Sequence, residues 1–195
     1  MTRVIGITGG IASGKSTLAR MLARRGMLHV DADKLVHQLL ATHKPMIDAI
    51  GRVFPGTVQG GQVDRQALGA ALADDPAKLH RLEQLLHPAV RLAEERAIRQ
   101  ATRQRRRAVL LDVPLLFETG TDHLCDAVIV AYAPLVLRRR RALARGMKPA
   151  TFNRLVARQL SDAERMALAD EVIPTTLGKA HTRRRVEALL RRWGL

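Results

Sequence analysis

The chain of 195 residues has little cysteine, few aromatic side chains and no long apolar segment. Cys125 is the only cysteine, so no disulfide can form within the chain, and a reducing compartment is the simplest expectation. Aromatic residues make up 3% of the sequence, which argues against a single-strand nucleic-acid binder built on base-stacking platforms. No apolar stretch approaches the roughly 20 residues that span a bilayer, and the N-terminal apolar run passes into glycines and Lys15, unlike a secretory signal. These absences predict a cytoplasmic location.

Acidic residues are also scarce relative to basic ones. The chain has 33 lysines and arginines against 18 aspartates and glutamates, a formal net charge of +15. Such a surface attracts polyanions, whether nucleic acid, membrane headgroups or phosphorylated small molecules, and composition alone does not choose among them. The hydrophobic fraction of 47% and the length predict one compact domain with a substantial core and room for a helical insertion.

Short apolar runs alternate with helical patterns, which is typical of parallel α/β folds. Strands are predicted at 3–8, 27–30, 108–113, 127–132 and, more weakly, 171–174. Helices are predicted at 15–25, 33–40, 45–53, 64–73 (with Asp64 as its N-cap), 75–104 with an interruption at His87-Pro88, 135–145, 151–160 and 179–193. Residues 54–62 are rich in turn formers and predict a loop. The region 35–107 is therefore expected to be a largely helical excursion from the sheet.

The stretch GGIASGKST at 9–17 predicts a phosphate site. Gly9, Gly14, Lys15 and Ser16 fit the pattern G-x-x-x-x-G-K-[ST] between a predicted strand and a predicted helix. Glycines let backbone amides wrap closely around a triphosphate, and the helix that follows presents unpaired N–H groups. The lysine reaches the β- and γ-phosphates, and the Ser16 hydroxyl is placed to ligate Mg²⁺. The alternative, a glycine-rich turn with a surface lysine, is disfavoured by the flanking strand and helix.

A phosphate loop occurs in kinases, GTPases, motors and translocases. A GTPase would usually show an N-K-x-D segment, but the only asparagine, Asn153, is followed by Arg154. A motor or translocase would generally need a larger chain, so a small-molecule kinase that uses ATP and Mg²⁺ is the leading class. Two alternatives stay open: a nucleoside or nucleoside-monophosphate kinase of the same architecture, and a nucleic-acid-binding ATPase module, which the net charge of +15 would suit.

Carboxylates follow two predicted strands at the edge where open α/β sheets bind ligands. Of Asp31 and Asp33, one could cap the helix that begins there, while the other accepts a proton from an attacking hydroxyl. Asp112 is either an acid of the Walker-B type, holding Mg²⁺ through water, or a structural aspartate at a strand end. The role of Glu118 is equally open between these two alternatives.

Arginine runs at 105–107 and 183–185 predict solvated faces, whereas the run at 138–141 follows the fourth predicted strand. Arg141 and Arg145 lie one helical turn apart on one face, and a Gly-Met-Lys-Pro break precedes a second basic helix. This arrangement predicts a lid that closes over transferring phosphate. His87 is more typical of packing or capping than of catalysis, and no Cys or His lies at metal-site spacing from it.

The ordered motifs resemble the dephospho-CoA kinase family along nearly the whole chain. The matching segments are ITGGIASGKST at 7–17, VDAD at 30–33, Asp64-Arg65 with Leu68, LLHPAV at 85–90, LDVPLLFE at 111–118, RALAR at 141–145 and ARQLSDAERMALADEVI at 157–173. The resemblance implies transfer of the ATP γ-phosphoryl group to the ribose 3′-hydroxyl of dephospho-CoA, the last step of coenzyme A biosynthesis. It also implies a three-layer P-loop fold with a five-stranded parallel sheet in the order 2-3-1-4-5.

The same resemblance implies a division of the chain and a set of site residues. A nucleotide-binding core would comprise 1–34, 108–137 and 171–195, with an acceptor-binding region at 35–107 and a lid at 138–170. The implied catalytic residues are Asp33, Lys15, Arg141 and Arg145, with Arg140 as the alternative to Arg141 in the run of four. The implied nucleotide contacts are Gly9, Gly10, Ile11, Ala12, Ser13, Gly14, Lys15, Ser16, Thr17, Thr175 and Gly178. The acceptor side would be lined by Asp33, Arg65, His87, Pro114, Leu115 and Glu118, and Ser16 would ligate the metal.

One segment departs from the family pattern. Pro174-Thr175-Thr176 stands where many relatives have an Asp-Asn pair near the adenine, so adenine contacts would come from the backbone around 175–178. The expected partner is a small-molecule substrate, with no nucleic acid and no membrane, and the expected state is a monomer or a weak homo-oligomer.

Overall fold

A computed structural model describes residues 2–73 and 75–195. The chain divides into two compact units, Met1–Val30 with Ile98–Leu195, and Asp31–Ala97. The strands are β1 (Arg3–Thr8), β2 (Leu28–Asp31), β3 (Val58–Gln59), β4 (Gln62–Val63), β5 (Ala108–Asp112), β6 (Ala127–Tyr132) and β7 (Glu171–Pro174). The helices are α1 (Lys15–Ala23), α2 (Ala32–Thr42), α3 (Lys44–Val53), α4 (Arg65–Leu72), α5 (Pro76–Arg103), α6 (Leu135–Leu143), α7 (Pro149–Ala157), α8 (Asp162–Ala167) and α9 (Gly178–Trp193).

The first unit is built on a five-stranded sheet in the order β2-β5-β1-β6-β7. Strand β1 pairs in parallel with β5 and β6, and β6 pairs in parallel with β7. When only the five strands of this sheet are numbered, in chain order, their spatial order is 2-3-1-4-5. The predicted sheet and its strand order are therefore confirmed. Because parallel strands end at the same edge, the loops that follow β1, β5 and β7 lie at one edge of the sheet.

The two faces of β1 are covered by different parts of the first unit. Ile5 and Ile7 are fully buried in a core that α1 and α9 complete, with Leu18, Leu22 and Leu189 among its members. Each such side chain contributes about 1.5–3 kcal/mol when it is withdrawn from water.

The opposite face of β1 is tightly packed at Gly6. A Cβ atom there would lie 2.8 Å from Cys125 Sγ and 2.9 Å from Leu116 Cδ1. The segment after β5 therefore lies directly against β1, which leaves no room for a side chain at position 6.

The second unit packs α2, α3, α4 and the start of α5 around its own core. Its fully or nearly fully buried members are Leu40, Met46, Ile47, Ile50, Phe54, Val63, Leu68, Leu82 and Leu86. Asp64 caps α4 as predicted, since its Oδ1 accepts the N–H groups of Gln66 and Ala67 at 2.8 and 3.1 Å.

Three local predictions were wrong. Helix α5 is continuous and contains Pro88, so the interruption predicted at His87-Pro88 does not occur. A proline removes one helical hydrogen bond, but buried Leu82 and Leu86 hold the apolar face of α5 in the core of the second unit, and this packing outweighs the loss. Residues 54–62, predicted as a loop, contain β3 and the first residue of β4, which pair antiparallel around Gly60-Gly61.

The third error is the omission of α8. This six-residue helix is too short to show apolar periodicity, but its start has a capping box between Ser161 and Glu164. The sequence S-x-x-E at 161–164 carried that signal. Across the described residues, 2–73 and 75–195, no helix is both long enough and apolar enough to cross a membrane.

Candidate functional site

The loop between β1 and α1 has the close-packed backbone that a phosphate site needs. Gly14 precedes α1 with φ +100°, a left-handed conformation that strains any residue with a side chain. A Cβ at Gly9 would lie 2.6 Å from the carbonyl oxygen of Ala131 and 2.7 Å from Ser13 Oγ. No side chain caps the N-terminus of α1, so the amides of its first turn can bind an anion. Among the residues that the structure describes, the buried Ser13 Oγ also has no hydrogen-bond partner. These features fit a bound polyphosphate.

Lys15 and Asp112 form an ion pair at the edge of the sheet. Asp112 ends β5 and is 4% exposed, and its second oxygen is 2.9 Å from Nε2 of His29 on β2. The loop lysine is therefore anchored by a carboxylate that lies 97 residues away in sequence. His29 was missed by the sequence analysis, because a single histidine within a strand gives no signal until its neighbouring strand is known.

Hydroxyl and carboxylate oxygens at this edge fit a magnesium ion, which takes hard oxygen ligands. Ser16 is exposed in the first turn of α1, and Asp112 belongs to the strand next to β1. Ser16 could hold Mg²⁺ directly, and Asp112 could do so through water.

Thr175, directly after β7, is buried against the phosphate loop. Its hydroxyl donates to the carbonyl oxygen of Ser13 and lies 3.2 Å from that of Tyr132. A Cβ at Gly14 would lie 3.1 Å from Thr175 Oγ1. Thr175 therefore packs under the loop through its side chain.

Arg141 braces the same contact. Its Nη2 donates to the carbonyl oxygen of Thr175 at 2.7 Å, and its Nη1 lies 3.1 Å from Thr175 Oγ1 and 3.3 Å from the carbonyl oxygen of Ser13. Arg140 and Arg139 are exposed, and Arg138 is buried. Of the two arginines between which the sequence could not choose, Arg141 is the one that contacts the loop.

Arg145 lines a cleft of about 420 Å³ beside the phosphate loop. Ile11 and Ala12 form one wall, and Arg145 and Lys148 stand among the residues of the other. Two cationic side chains around an opening beside an amide-lined loop give a surface suited to phosphate oxygens.

The segment that follows α7 is hydrogen-bonded to both the loop and the region after β5. The N–H of Ile11 donates to Gln159 Oε1 at 2.9 Å, and the N–H of Leu160 donates to Glu118 Oε1 at 2.8 Å. Glu118, predicted to line the acceptor side, thus holds backbone of the predicted lid region. Gln159 was not singled out in the sequence, since a polar residue at a helix end has many possible partners.

The remaining predicted residues are placed as follows. Asp33, Arg65 and His87 belong to the second unit, where each is exposed. Asp31 is the N-cap of α2, with its Oδ1 accepting the N–H of Lys34 at 3.2 Å, so the capping role predicted for one of the two aspartates falls to Asp31. In the first unit, Pro114 and Leu115 are half-buried after β5, and exposed Gly178 begins α9.

Comparisons with known proteins agree with this architecture. A family model described as dephospho-CoA kinase matches residues 3–178. A dephospho-CoA kinase of Gluconobacter oxydans is 43% identical over 195 residues, with 97% of each chain covered. The crystal structure of TT1252 from Thermus thermophilus has a TM-score of 0.82 at 33% identity, covering 98% of this chain and 97% of the other.

A dephospho-CoA kinase of Campylobacter jejuni shows the same fold at 22% identity, with a TM-score of 0.68 and coverage of 98% of this chain and 97% of the other. The family match extends over most of the chain, and the glycine-lined loop and its lysine lie within it. The chain therefore belongs to the dephospho-CoA kinase family and is an enzyme that transfers phosphate to an alcohol group.

Proposed function

We propose that this protein transfers the γ-phosphoryl group of ATP to the ribose 3′-hydroxyl of dephospho-CoA, giving coenzyme A and ADP. Membership in the dephospho-CoA kinase family supports dephospho-CoA as the acceptor. One structural observation carries the donor side: Lys15, at the start of α1, is paired with Asp112 at the edge of the sheet. This pair holds the cation of the loop beside the amides that would bind the triphosphate.

On the donor side, the amides of residues 9–17 bind the phosphates and Lys15 exchanges Asp112 for phosphate oxygens. Charge on the transferring group is the main obstacle to this reaction, so fixed positive charge contributes most of the catalysis. Ser16 would hold Mg²⁺, with Asp112 acting through water, and the ion would supply further charge neutralisation. Arg145 reaches the phosphates from the cleft wall, while Arg141 acts on the loop that it contacts.

On the acceptor side, Asp33 takes the proton of the ribose 3′-hydroxyl. The oxygen then forms a bond to the γ-phosphorus, the bond between that phosphorus and the bridging oxygen breaks, and ADP leaves. The region 35–107 binds the acceptor, with Arg65 and His87 as contacts. Pro114, Leu115 and Glu118 line the acceptor side from the segment after β5, and 138–170 acts as the lid.

The wider expectations belong to the same proposal. The partner is a small anionic nucleotide, which suits the net charge of +15. The enzyme acts in the cytoplasm as a monomer or a weak homo-oligomer, without nucleic acid and without a membrane.

A coupled ADP-release assay over a panel of acceptors tests the proposed function. ADP release should require Mg²⁺ and dephospho-CoA, and coenzyme A itself should be inactive because its 3′-hydroxyl already carries phosphate. Lys15→Ala, the loss-of-function control, should lower the rate by about two orders of magnitude or more, because charge stabilisation at the transferring group is removed.

Two results would contradict the proposal in different ways. Equal ATP turnover with and without acceptor would exclude a kinase of this specificity. Preferential use of a nucleoside or nucleoside monophosphate would instead favour the alternative kinase of the same architecture.

A further inference from the structure

Two buried arginines and one half-buried aspartate form a cluster under the phosphate loop. Arg138 of α6 and Arg165 of α8 are 4% and 3% exposed, and both bind the carboxylate of Asp162. Arg138 Nη2 donates to Asp162 Oδ1 at 2.9 Å and to Oδ2 at 2.8 Å, and Arg165 Nη1 donates to Oδ1 at 3.3 Å. Two guanidinium groups thus share one carboxylate. The charges of this arginine–aspartate cluster sum to +1, and the exposed carboxylate of Glu118 also acts on Arg165.

The cluster touches the loop at Gly10. A Cβ atom at Gly10 would lie 2.0 Å from Arg138 Nη1 and 3.0 Å from Arg165 Nη1, so both guanidinium groups abut the backbone there. A side chain at position 10 would therefore displace the Arg138 guanidinium from its present position.

One donor group of the cluster has no hydrogen-bond acceptor among the described residues. Arg138 Nε donates to the carbonyl oxygen of Ala133 at 3.1 Å, but Arg138 Nη1 is buried without a hydrogen-bond partner among the described residues. An unmatched buried donor on a charged group is costly, and proteins rarely keep one without a compensating role.

Burial removes water from the charged arginines, which makes their charged form less favourable. Burial lowers the pKa of the Arg165 guanidinium, and the nearby carboxylates of Asp162 and Glu118 oppose that shift. A guanidinium group remains protonated even so, because its ordinary pKa is far above neutrality. A polyanion bound in the adjacent loop would add to the compensation that half-buried Asp162 and exposed Glu118 give to the two buried guanidinium groups.

We infer that the arginine–aspartate cluster is an electrostatic support of the phosphate loop, whose net positive charge under Gly10 selectively stabilises the triphosphate-bound protein. Arg138 is then a positioning residue, which acts through the loop backbone. The inference rests on the proposed function to the extent that this loop binds the triphosphate of ATP. The competing explanation is a purely structural staple between α6 and α8.

The two explanations can be separated by two substitutions that break the same ion pair, because they predict different directions of change in the dissociation constant of triphosphate. Arg138→Met removes positive charge, so the dissociation constant of inorganic triphosphate should rise about tenfold, as expected for a nearby charge-assisted contact. Asp162→Asn removes the neutralising charge, so the same constant should fall, by about threefold. A structural staple predicts that both substitutions weaken binding, because both loosen the same contact.

Isothermal titration calorimetry with inorganic triphosphate at 0.15 M salt measures these constants on the full chain. Circular dichroism confirms that each variant is folded, and both variants are expected to unfold at lower temperature without ligand. Arg138→Lys keeps the charge and should restore most of the affinity lost in Arg138→Met. Arg139→Met, in an exposed neighbour on the same helix, is the matched control and should bind as the unsubstituted protein does.

Each outcome decides a different question. If the dissociation constant of triphosphate changes in the same direction in Arg138→Met and Asp162→Asn, the inference is overturned. The proposed kinase function would not be affected by that result. Triphosphate binding with the expected opposite shifts, but no transfer to dephospho-CoA, would overturn only the proposed function. A protein that binds no triphosphate would overturn both.

Discussion

At the residue scale, two aspartates close together at the start of α2 have separable roles. Asp31 binds the N–H of Lys34 as the N-cap, and Asp33 lies two residues further, exposed in the first turn of α2. The cap satisfies a backbone donor, which any short polar side chain can do, whereas proton acceptance requires a carboxylate.

Substituting each aspartate by asparagine should therefore give different results. Asp33→Asn should lower kcat by about 100-fold or more, because general-base contributions are typically of this size, while leaving the dissociation constant of ATP unchanged. Asp31→Asn should keep nearly the full rate, since asparagine is an equally good N-cap. Steady-state ADP release and ATP titration measure both quantities. A near-normal rate for Asp33→Asn would show that another group activates the hydroxyl.

Thr175 is a second residue whose role can be isolated. Thr175→Val keeps the shape but removes the hydroxyl that donates to Ser13, so the free energy of unfolding should fall by about 1–2 kcal/mol. ATP binding should weaken as well, since Arg141 also loses an acceptor. Thermal unfolding and ATP titration check this, with Thr176→Val at the exposed next position as the control. Equal behaviour of the two variants would mean that the Thr175 hydroxyl does not support the loop.

At the element scale, α8 shows how a helix too short to form alone is fixed in place. Ser161 Oγ accepts the N–H of Glu164 at 3.2 Å, and the Glu164 carboxylate accepts the N–H of Ser161 at 2.9 Å. This capping box begins the helix that carries Asp162 and Arg165 to the loop.

The capping box should make part of the stability depend on pH. Hydrogen bonding to the Ser161 side chain, helped by its backbone N–H, lowers the pKa of Glu164 below its usual 4.5. A lowered carboxyl pKa means that the native state favours the ionised form, so this stabilisation is fully present above the unfolded pKa and is lost as pH falls through the native one.

Comparing the unsubstituted protein with Glu164→Ala reveals that contribution. The difference in free energy of unfolding should be constant from pH 7 to about pH 5 and should shrink below pH 4.5, as denaturant titrations at each pH would show. A difference that stays the same down to pH 3.5 would mean that the Glu164 charge does not contribute.

At the scale of the whole molecule, the excess of arginine is partly used inside the structure. Arg138, Arg141 and Arg165 bind carbonyl or carboxylate groups around the phosphate loop. Others form surface ion pairs, as Arg25 does with Glu187 and Arg192 with Glu171. The net charge of +15 already counts the acidic partners of these ion pairs, so only arginines held by neutral groups, as Arg141 is, reduce the exposed cationic surface further.

The protein should nevertheless bind nucleic acid weakly, because aromatic residues make up only 3% of the sequence. Fluorescence anisotropy with labelled duplex and single-stranded oligonucleotides should show no binding at micromolar protein in 0.15 M salt, because screened charge without base-stacking aromatics gives only weak, salt-sensitive contacts. The KM for the anionic acceptor should rise with ionic strength at nearly constant kcat. Tight oligonucleotide binding at 0.15 M salt would revive the nucleic-acid-binding ATPase alternative.

Features determined by contiguous sequence were predictable. The loop at 9–17 depends on glycine conformation and on the strand and helix beside it, and the Asp64 cap depends on the next few residues alone. The family motifs supplied the strand order 2-3-1-4-5, which short local patterns cannot give.

Other features were decided only when distant segments packed together. Four consecutive arginines look alike in sequence, yet the phase of α6 buries Arg138, turns Arg141 onto Thr175 and leaves Arg139 and Arg140 exposed. Likewise, Asp112 anchors Lys15 because β5 lies next to β1, and Pro88 remains within α5 because the surrounding core holds the helix. Local sequence limits the backbone conformations that each segment can adopt. Which charges become buried and paired follows only from the packing of distant segments, because each ion pair joins atoms far apart along the chain.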